Sequence, residues 1–248
     1  MDLGLNGRTA IVLGASQGMG LAISEGLAAE GANVALFARR ADVIEREAAR
    51  VGGLAVSGDL TSEADLERLV GATLDAFGGI DILVLNGGGP PPGPAAAVTG
   101  QDVIAAVELL LVPHVRLVGL CLPHLRVSGR GRIVAIESTS VKEPIANLAL
   151  SNAVRPGVVG WLKTLARELG PEGITVNTIA PGRIDTERLH ALYGPDGPPP
   201  EALALIPARR VGAPAEIAAT VCFLASEQAA YINGVVVPVD GGMLSGLT

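Results

Sequence analysis

Short apolar runs of strand length alternate with helix-length amphipathic segments along almost the whole chain, and no other feature restricts the fold as much. The spacing predicts strands at Thr9–Leu13, Asn33–Phe37, Leu54–Val56, Ile80–Leu85, Arg132–Ile136, Thr175–Ile179 and Val235–Val239. It predicts helices at Gly20–Glu30, Ala41–Arg50, Ser62–Phe77, Asp102–Leu122 (one long helix, bent near Pro113), Ser151–Leu169 and Pro214–Leu224. Thr61 or Ser62 is a plausible N-cap, with Glu63 and Asp65 in the first turn where acids favour the helix dipole. Strand–helix–strand units close by right-handed crossovers. The order therefore implies an α/β fold: a doubly wound parallel sheet with helices on both faces. Aromatic residues make up only 2% of the chain, so the core must be built from Ala, Val, Leu and Ile, as suits strands covered on both sides.

At 248 residues without an internal repeat, one domain over 1–248 is expected. The Gly/Pro-rich breaks Gly87–Pro94 and Gly194–Pro200 are too short and too embedded to be linkers. The second falls within Glu187–Pro207, a segment placed to act as a lid over a ligand at the carboxyl edge of the sheet. The net charge of −7, with no basic cluster, argues against a nucleic-acid partner. The N-terminus lacks the order of a signal peptide. The most apolar stretch, Val103 to Leu125, carries Glu108, Pro113, His114, Arg116 and Pro123. It reads as a buried or interface helix, so no membrane partner and a cytoplasmic location are expected. Cys121 and Cys222 sit in apolar contexts, which fits buried thiols in a reducing compartment. They lack metal-ligand spacing, and no metal is expected.

The first strand runs into Gly14-Ala15-Ser16-Gln17-Gly18-Met19-Gly20 and then a helix. Glycines at this turn let the backbone approach a pyrophosphate, and the helix N-terminus offers unpaired N–H groups. A tight turn with no ligand would look similar, but the first βα turn of an alternating chain is the context the motif requires. At the end of the second strand, an acid would hold the ribose 2′-hydroxyl of NAD. This chain has Arg39 and Arg40 there, and guanidinium groups suit a 2′-phosphate. NADP(H) is therefore favoured over NAD(H). The alternative is that both arginines are ordinary surface charges.

Together with Asp59-Leu60 after strand three, Asn86-Gly87-Gly88 after strand four, Pro181-Gly182-Arg183-Ile184-Asp185-Thr186 after strand six and Asp240-Gly241-Gly242 near the end, this loop resembles the motif series of the short-chain dehydrogenase/reductase family. The resemblance covers essentially the whole chain and is strongest to bacterial members of the 3-oxoacyl-[acyl-carrier-protein] reductase type. It implies a Rossmann fold and NADP(H)-dependent reduction of a carbonyl to an alcohol. Asp59 and Leu60 would flank the adenine. Asn86, Gly87 and Gly88 would line the cofactor, with Asn86 bracing the sheet. Pro181 and Gly182 would shape the turn, and Ile184 and Thr186 would hold the carboxamide. The family motif after strand four is Asn-Asn-Ala-Gly, and its first Asn is absent here.

Family members use a Ser, a Tyr and a Lys, the last two spaced as YxxxK, and an Asn on the preceding long helix. Ser138 stands where the Ser belongs. Ser151 stands at the Tyr position, Arg155 at the Lys position and Leu110 at the Asn position. A serine hydroxyl is far less acidic than a phenol, and arginine does not deprotonate in proteins. Arg155 would still bond a ribose or stabilise an oxyanion. His114, Tyr193 and Lys142 are alternative proton donors. His114 lies one turn beyond Leu110, so the two would point the same way. Glu137, Glu143 and His190 lie nearby without motif support, and Trp161 reads as packing or interface. The second functional reading is a pseudo-reductase that binds NADP(H) as a sensor or oligomer partner. Helices 102–122 and 151–169 are apolar around most of their circumference, and the resemblance implies that they pair subunits in a dimer or tetramer.

Overall fold

The computed structural model describes residues 2–247. Seven strands form one parallel sheet: β1 Thr9–Leu13, β2 Asn33–Ala38, β3 Leu54–Ser57, β4 Ile82–Asn86, β5 Arg132–Ile136, β6 Thr175–Pro181 and β7 Val236–Val239. Their spatial order is β3-β2-β1-β4-β5-β6-β7. The chain winds outward from β1 in one direction and then, from β4, in the other. The crevice between the carboxyl ends of β1 and β4 is thus the switch point at which such sheets bind ligands.

The central strands β1, β2, β4, β5 and β6 are buried on both faces, and the period of two divides their residues between two cores. Ile11 and Leu13 of β1 join one cluster while Ala10 and Val12 join the other; Leu83 and Leu85 of β4 part from Ile82 and Val84 in the same way. Helices α1 Gly18–Ala29, α2 Ala41–Val51 and α9 Pro214–Ala225 cover one face. Helices α3 Glu63–Phe77, α4 Gly100–Leu110, α5 Val112–Ser128 and α6 Ala149–Leu169 cover the other. Ser62 caps α3, its hydroxyl accepting from the Asp65 N–H, as the sequence suggested. The expected lid contains two short helices, α7 Glu187–Tyr193 and α8 Pro200–Ala204.

One expectation needs correction. The helix read as Asp102–Leu122 is two helices, α4 and α5, that break at Leu111 (φ −109°, ψ −53°). Pro113 sits in the first turn of α5. It has no N–H to offer the Leu109 carbonyl, so the ladder must restart there instead of bending through. Residues Gly100–Ser128 are together long and apolar enough to cross a membrane by length and composition. Here Ala106, Leu110, Leu117, Val118, Cys121 and Leu125 pack into the core, while Val103, Ile104 and Val115 face outward.

Candidate active site

The nucleotide end of the crevice is shaped by backbone. Gly14 and Gly18 take left-handed conformations (φ 61° and 55°) that side chains disfavour. A methyl group at Gly14 would stand 2.9 Å from Asn86 Nδ2, and one at Gly20 would collide with the Gly14 carbonyl. Asn86 Nδ2 donates to the Leu13 carbonyl at 3.1 Å, so it braces β4 against β1 across the switch point. The Gln17 side chain makes no capping bond to α1, which leaves the first-turn N–H groups directed into the cradle. Gln17 accepts instead from Arg40 and donates to Glu187 of the lid at 2.6 Å. Arg39 is exposed beside it. Asp59 accepts from the Thr61 N–H and hydroxyl at 2.8 and 2.7 Å; these bonds, aided by the charge of Arg39, hold its carboxyl below the usual range. The cradle therefore fits a dinucleotide: a Cβ is excluded where a phosphate would approach, and cations stand at the ribose end.

The floor beyond it is built of side chains. Ser138, just past β5, accepts from the Ser140 N–H at 3.1 Å, and the Ser140 and Ser151 hydroxyls are 3.1 Å apart. Arg155 follows Ser151 by one turn of α6, on the same face. Its Nη1 donates to Glu137 Oε2 at 2.8 Å and its Nη2 to the Gly88 carbonyl at 3.1 Å. Both partners of this ion pair are buried, Glu137 with 1% of its side chain exposed. Burial pushes the Glu137 carboxyl up, against the pull of Arg155. Its Oε1 has no hydrogen-bond partner among the described residues, and neither has either ring nitrogen of His114. His114 is fully enclosed beneath Gly87. Burial, helped by the charge of Arg155, pushes its imidazole down to about 4.

Above this floor lies a cavity of about 310 Å³, bounded by Met19, Asn86–Gly89, Glu137–Thr139 and Ser151 on one side and by the lid residues Arg188, Leu192 and Tyr193 on the other. Ser138, Ser151 and Arg155 are thus brought together, with Pro181, Gly182, Ile184 and Thr186 on the same wall. A side chain at Gly182 would run into Asp240, which fixes the turn after β6 against the end of β7. Leu110 and His114 are both buried, Leu110 in the core at the end of α4 and His114 under Gly87 in the first turn of α5. Tyr193 borders the cavity, whereas Lys142 is exposed outside it. Glu143 accepts from the N–H groups of Ser245 and Gly246, and His190 pairs with Asp185. Trp161 packs against the core. Sequence reasoning missed two residues, Glu137 as the partner of Arg155 and Arg188 as part of the cavity wall. An acid at the end of a strand buried on both faces was a signal for the first.

A parallel doubly wound sheet with a glycine cradle at its switch point and a polar cavity beside it defines a dinucleotide-binding oxidoreductase of the Rossmann type. Residues 14–244 match the family described as enoyl-(acyl carrier protein) reductase, so the chain belongs to the short-chain dehydrogenase/reductase family. It is 37% identical to the 3-oxoacyl-[acyl-carrier-protein] reductase FabG of Vibrio cholerae, over 97% of this chain and 99% of that one. It is 36% identical to the reductase MabA of Mycobacterium tuberculosis, over 95% and 92% respectively. Among solved structures, YwfH, an NADPH-dependent reductase of bacilysin biosynthesis, superposes with a TM-score of 0.92 at 28% identity, covering 97% of this chain and 99% of that one. The L-sorbose reductase of Gluconobacter frateurii, complexed with NADPH and L-sorbose, gives 0.91 at 32% identity over all of both chains. NADPH in both neighbours agrees with the preference read from Arg39 and Arg40.

Proposed function

We propose that the protein uses NADPH to reduce the carbonyl of a small or acyl substrate, such as a 3-oxoacyl group, to an alcohol. The observation that carries this reading is the direct continuity of the glycine cradle with the cavity over Ser138, Ser151 and Arg155. Gly14, Ser16, Gln17, Gly18, Met19 and Gly20 would hold the pyrophosphate and Arg39 and Arg40 the 2′-phosphate. Asp59 and Leu60 would border the adenine. Asn86, Gly87, Gly88, Pro181, Gly182, Ile184 and Thr186 would seat the nicotinamide, which supplies a hydride when bound. Ser138 donates a hydrogen bond to the substrate carbonyl. Ser151 and Arg155 replace the family's Tyr and Lys. Water in the cavity would supply the proton through the Ser151–Ser140 hydroxyl pair, and the charge of Arg155 would stabilise the negative charge developing on the carbonyl oxygen. Helices α4, α5 and α6 form a homo-oligomer interface, supported by the outward-facing Val103, Ile104 and Val115.

The test follows NADPH oxidation against a panel of ketones. Turnover above blank is expected for some panel member, with Ser138→Ala lowering kcat about 10²-fold. The double substitution Arg39→Ser with Arg40→Ser should weaken NADPH roughly tenfold or more while sparing NADH. No turnover across the panel, with NADPH bound normally, would favour the pseudo-reductase reading. The observation behind that second reading is that Ser151 and Arg155 are already engaged by Ser140, Glu137 and Gly88.

A further inference from the structure

Four charged side chains border the cavity, three arginines and one glutamate, in a chain whose net charge is −7. Two of the arginines are committed. Arg155 is held by Glu137 and Gly88. Arg183 donates to the Ala202 carbonyl and lies 5.6 Å over the Tyr193 ring. Arg188 is different. Arg188 stands at the solvent-exposed rim of the cavity, and among the described residues its guanidinium makes neither a hydrogen bond nor a salt bridge. The guanidinium lies so close to Gly89 that a methyl group there would collide with it.

We infer that Arg188 is the receptor for a carboxylate on the substrate, so that the compound reduced is a small oxo acid. The inference rests on the reductase reading above and names the substrate class for the same cavity. A guanidinium offers a planar fork that matches a carboxylate bidentately. Here the fork borders the cavity that holds Ser138, and a carbonyl carrying a nearby carboxylate would be gripped at both groups. Partial desolvation, helped by the neighbouring charge of Arg155, disfavours the charged form of Arg188, and an arriving anion offsets both.

The cofactor phosphates are the other anions within reach of this charge, and the lid geometry argues against them. Glu187 and Arg188 are consecutive residues of α7 and diverge. Glu187 accepts from Gln17 in the glycine loop, while Arg188 lies on Gly89 beyond β4. The residue that faces the pyrophosphate cradle is thus the acid, and the arginine faces the opposite wall.

The experiment compares acetoacetate with its methyl ester, and dihydroxyacetone phosphate with dihydroxyacetone, using the NADPH-loaded protein. The wild type is expected to prefer acetoacetate over the ester by roughly tenfold or more in kcat/KM, the equivalent of one charged hydrogen-bond pair. Arg188→Gln should abolish that preference, mainly by raising KM for acetoacetate, and leave NADPH affinity within a few-fold; Arg188→Lys should retain part of it. Calorimetry of malonate binding to the protein with NADP⁺ runs alongside and needs no turnover. Malonate binding that Arg188→Gln removes supports the site even if no ketone is reduced, so failure of the reductase reading is distinguishable. Equal use of acid and ester, malonate binding unchanged in the variant, a preference confined to the phosphate ester, or a loss of NADPH affinity in the variant would each overturn the assignment. Should Arg188→Gln not fold, the acid–ester comparison in the wild type and Arg188→Lys decide the question alone.

Discussion

The two ends of the parallel sheet both bury arginine, and they treat it differently. At the amino end, Arg8 donates to the carbonyls of Ala225 and Arg130 at 2.7 and 2.6 Å, and Arg132 to those of Ser226, Gly131 and Gly173. Ala225 ends α9, so the Arg8 cation also meets the negative end of a helix dipole. Burial pushes Arg8 down to about 10, and of its donors only Nε lacks a partner. At the carboxyl end, Arg155 is paired with a carboxylate whose other oxygen is unpartnered. Among the described residues, His114 is buried with neither ring nitrogen hydrogen-bonded. Buried polar groups are ordinarily satisfied, and each exception calls for a reason. The amino end spends its charges on backbone carbonyls and holds the fold together. The carboxyl end leaves Glu137, beside the cavity, and His114, beneath Gly87, incompletely bonded.

Breaking the Glu137–Arg155 pair should produce the largest effect. Glu137→Ala leaves an uncompensated guanidinium beneath the nicotinamide floor and should cost about 3–5 kcal/mol in urea denaturation. The joint change Glu137→Leu with Arg155→Met should recover most of that loss while abolishing carbonyl reduction. A double variant as unstable as the single one would make the pair a stabilising element like those of the amino end, and the contrast would fail.

The second effect comes from His114. Its imidazole titrates near 6.5 in the unfolded chain but only at about 4 in the fold, so the unfolded state takes up a proton first as the pH falls. The stability associated with neutral His114 is fully present above pH 6.5 and is lost progressively down to pH 4, by about 3 kcal/mol in all. His114→Phe should flatten this part of the stability–pH curve relative to the wild type. Parallel curves for the two proteins would show that the imidazole is not held neutral.

Arg8→Met should have the smallest effect, about 2–3 kcal/mol, because it removes two charged donors and leaves the Ala225 and Arg130 carbonyls short of partners. NADPH affinity should be unchanged. A weakened cofactor site in this variant would mean that the two ends are not independent.

Much of the architecture was legible in the residues. The βα alternation, the β-branched first strand and the glycine spacing after it led directly to the sheet and its switch point. The helix break at Leu111 was half legible: Pro113 marked the place, but a proline near the start of a new helix reads like one that bends an existing helix until the backbone on both sides is known. The site followed the same division. Ser138, Ser151 and Arg155 were found by their spacing from β5 and along α6, whereas Glu137 and Arg188 were not singled out.

The sequence alone determined what depends on neighbours along the chain: which segments are strands or helices, and which turn can admit a phosphate. Only the tertiary structure decided which charges meet. Glu137 reaches Arg155 across 18 positions from a different element, and the Arg188 guanidinium rests on Gly89 from the far side of the crevice. Such pairings depend on how two elements dock. Side-chain burial and the field around each charge arise from that docking, and no local pattern encodes them.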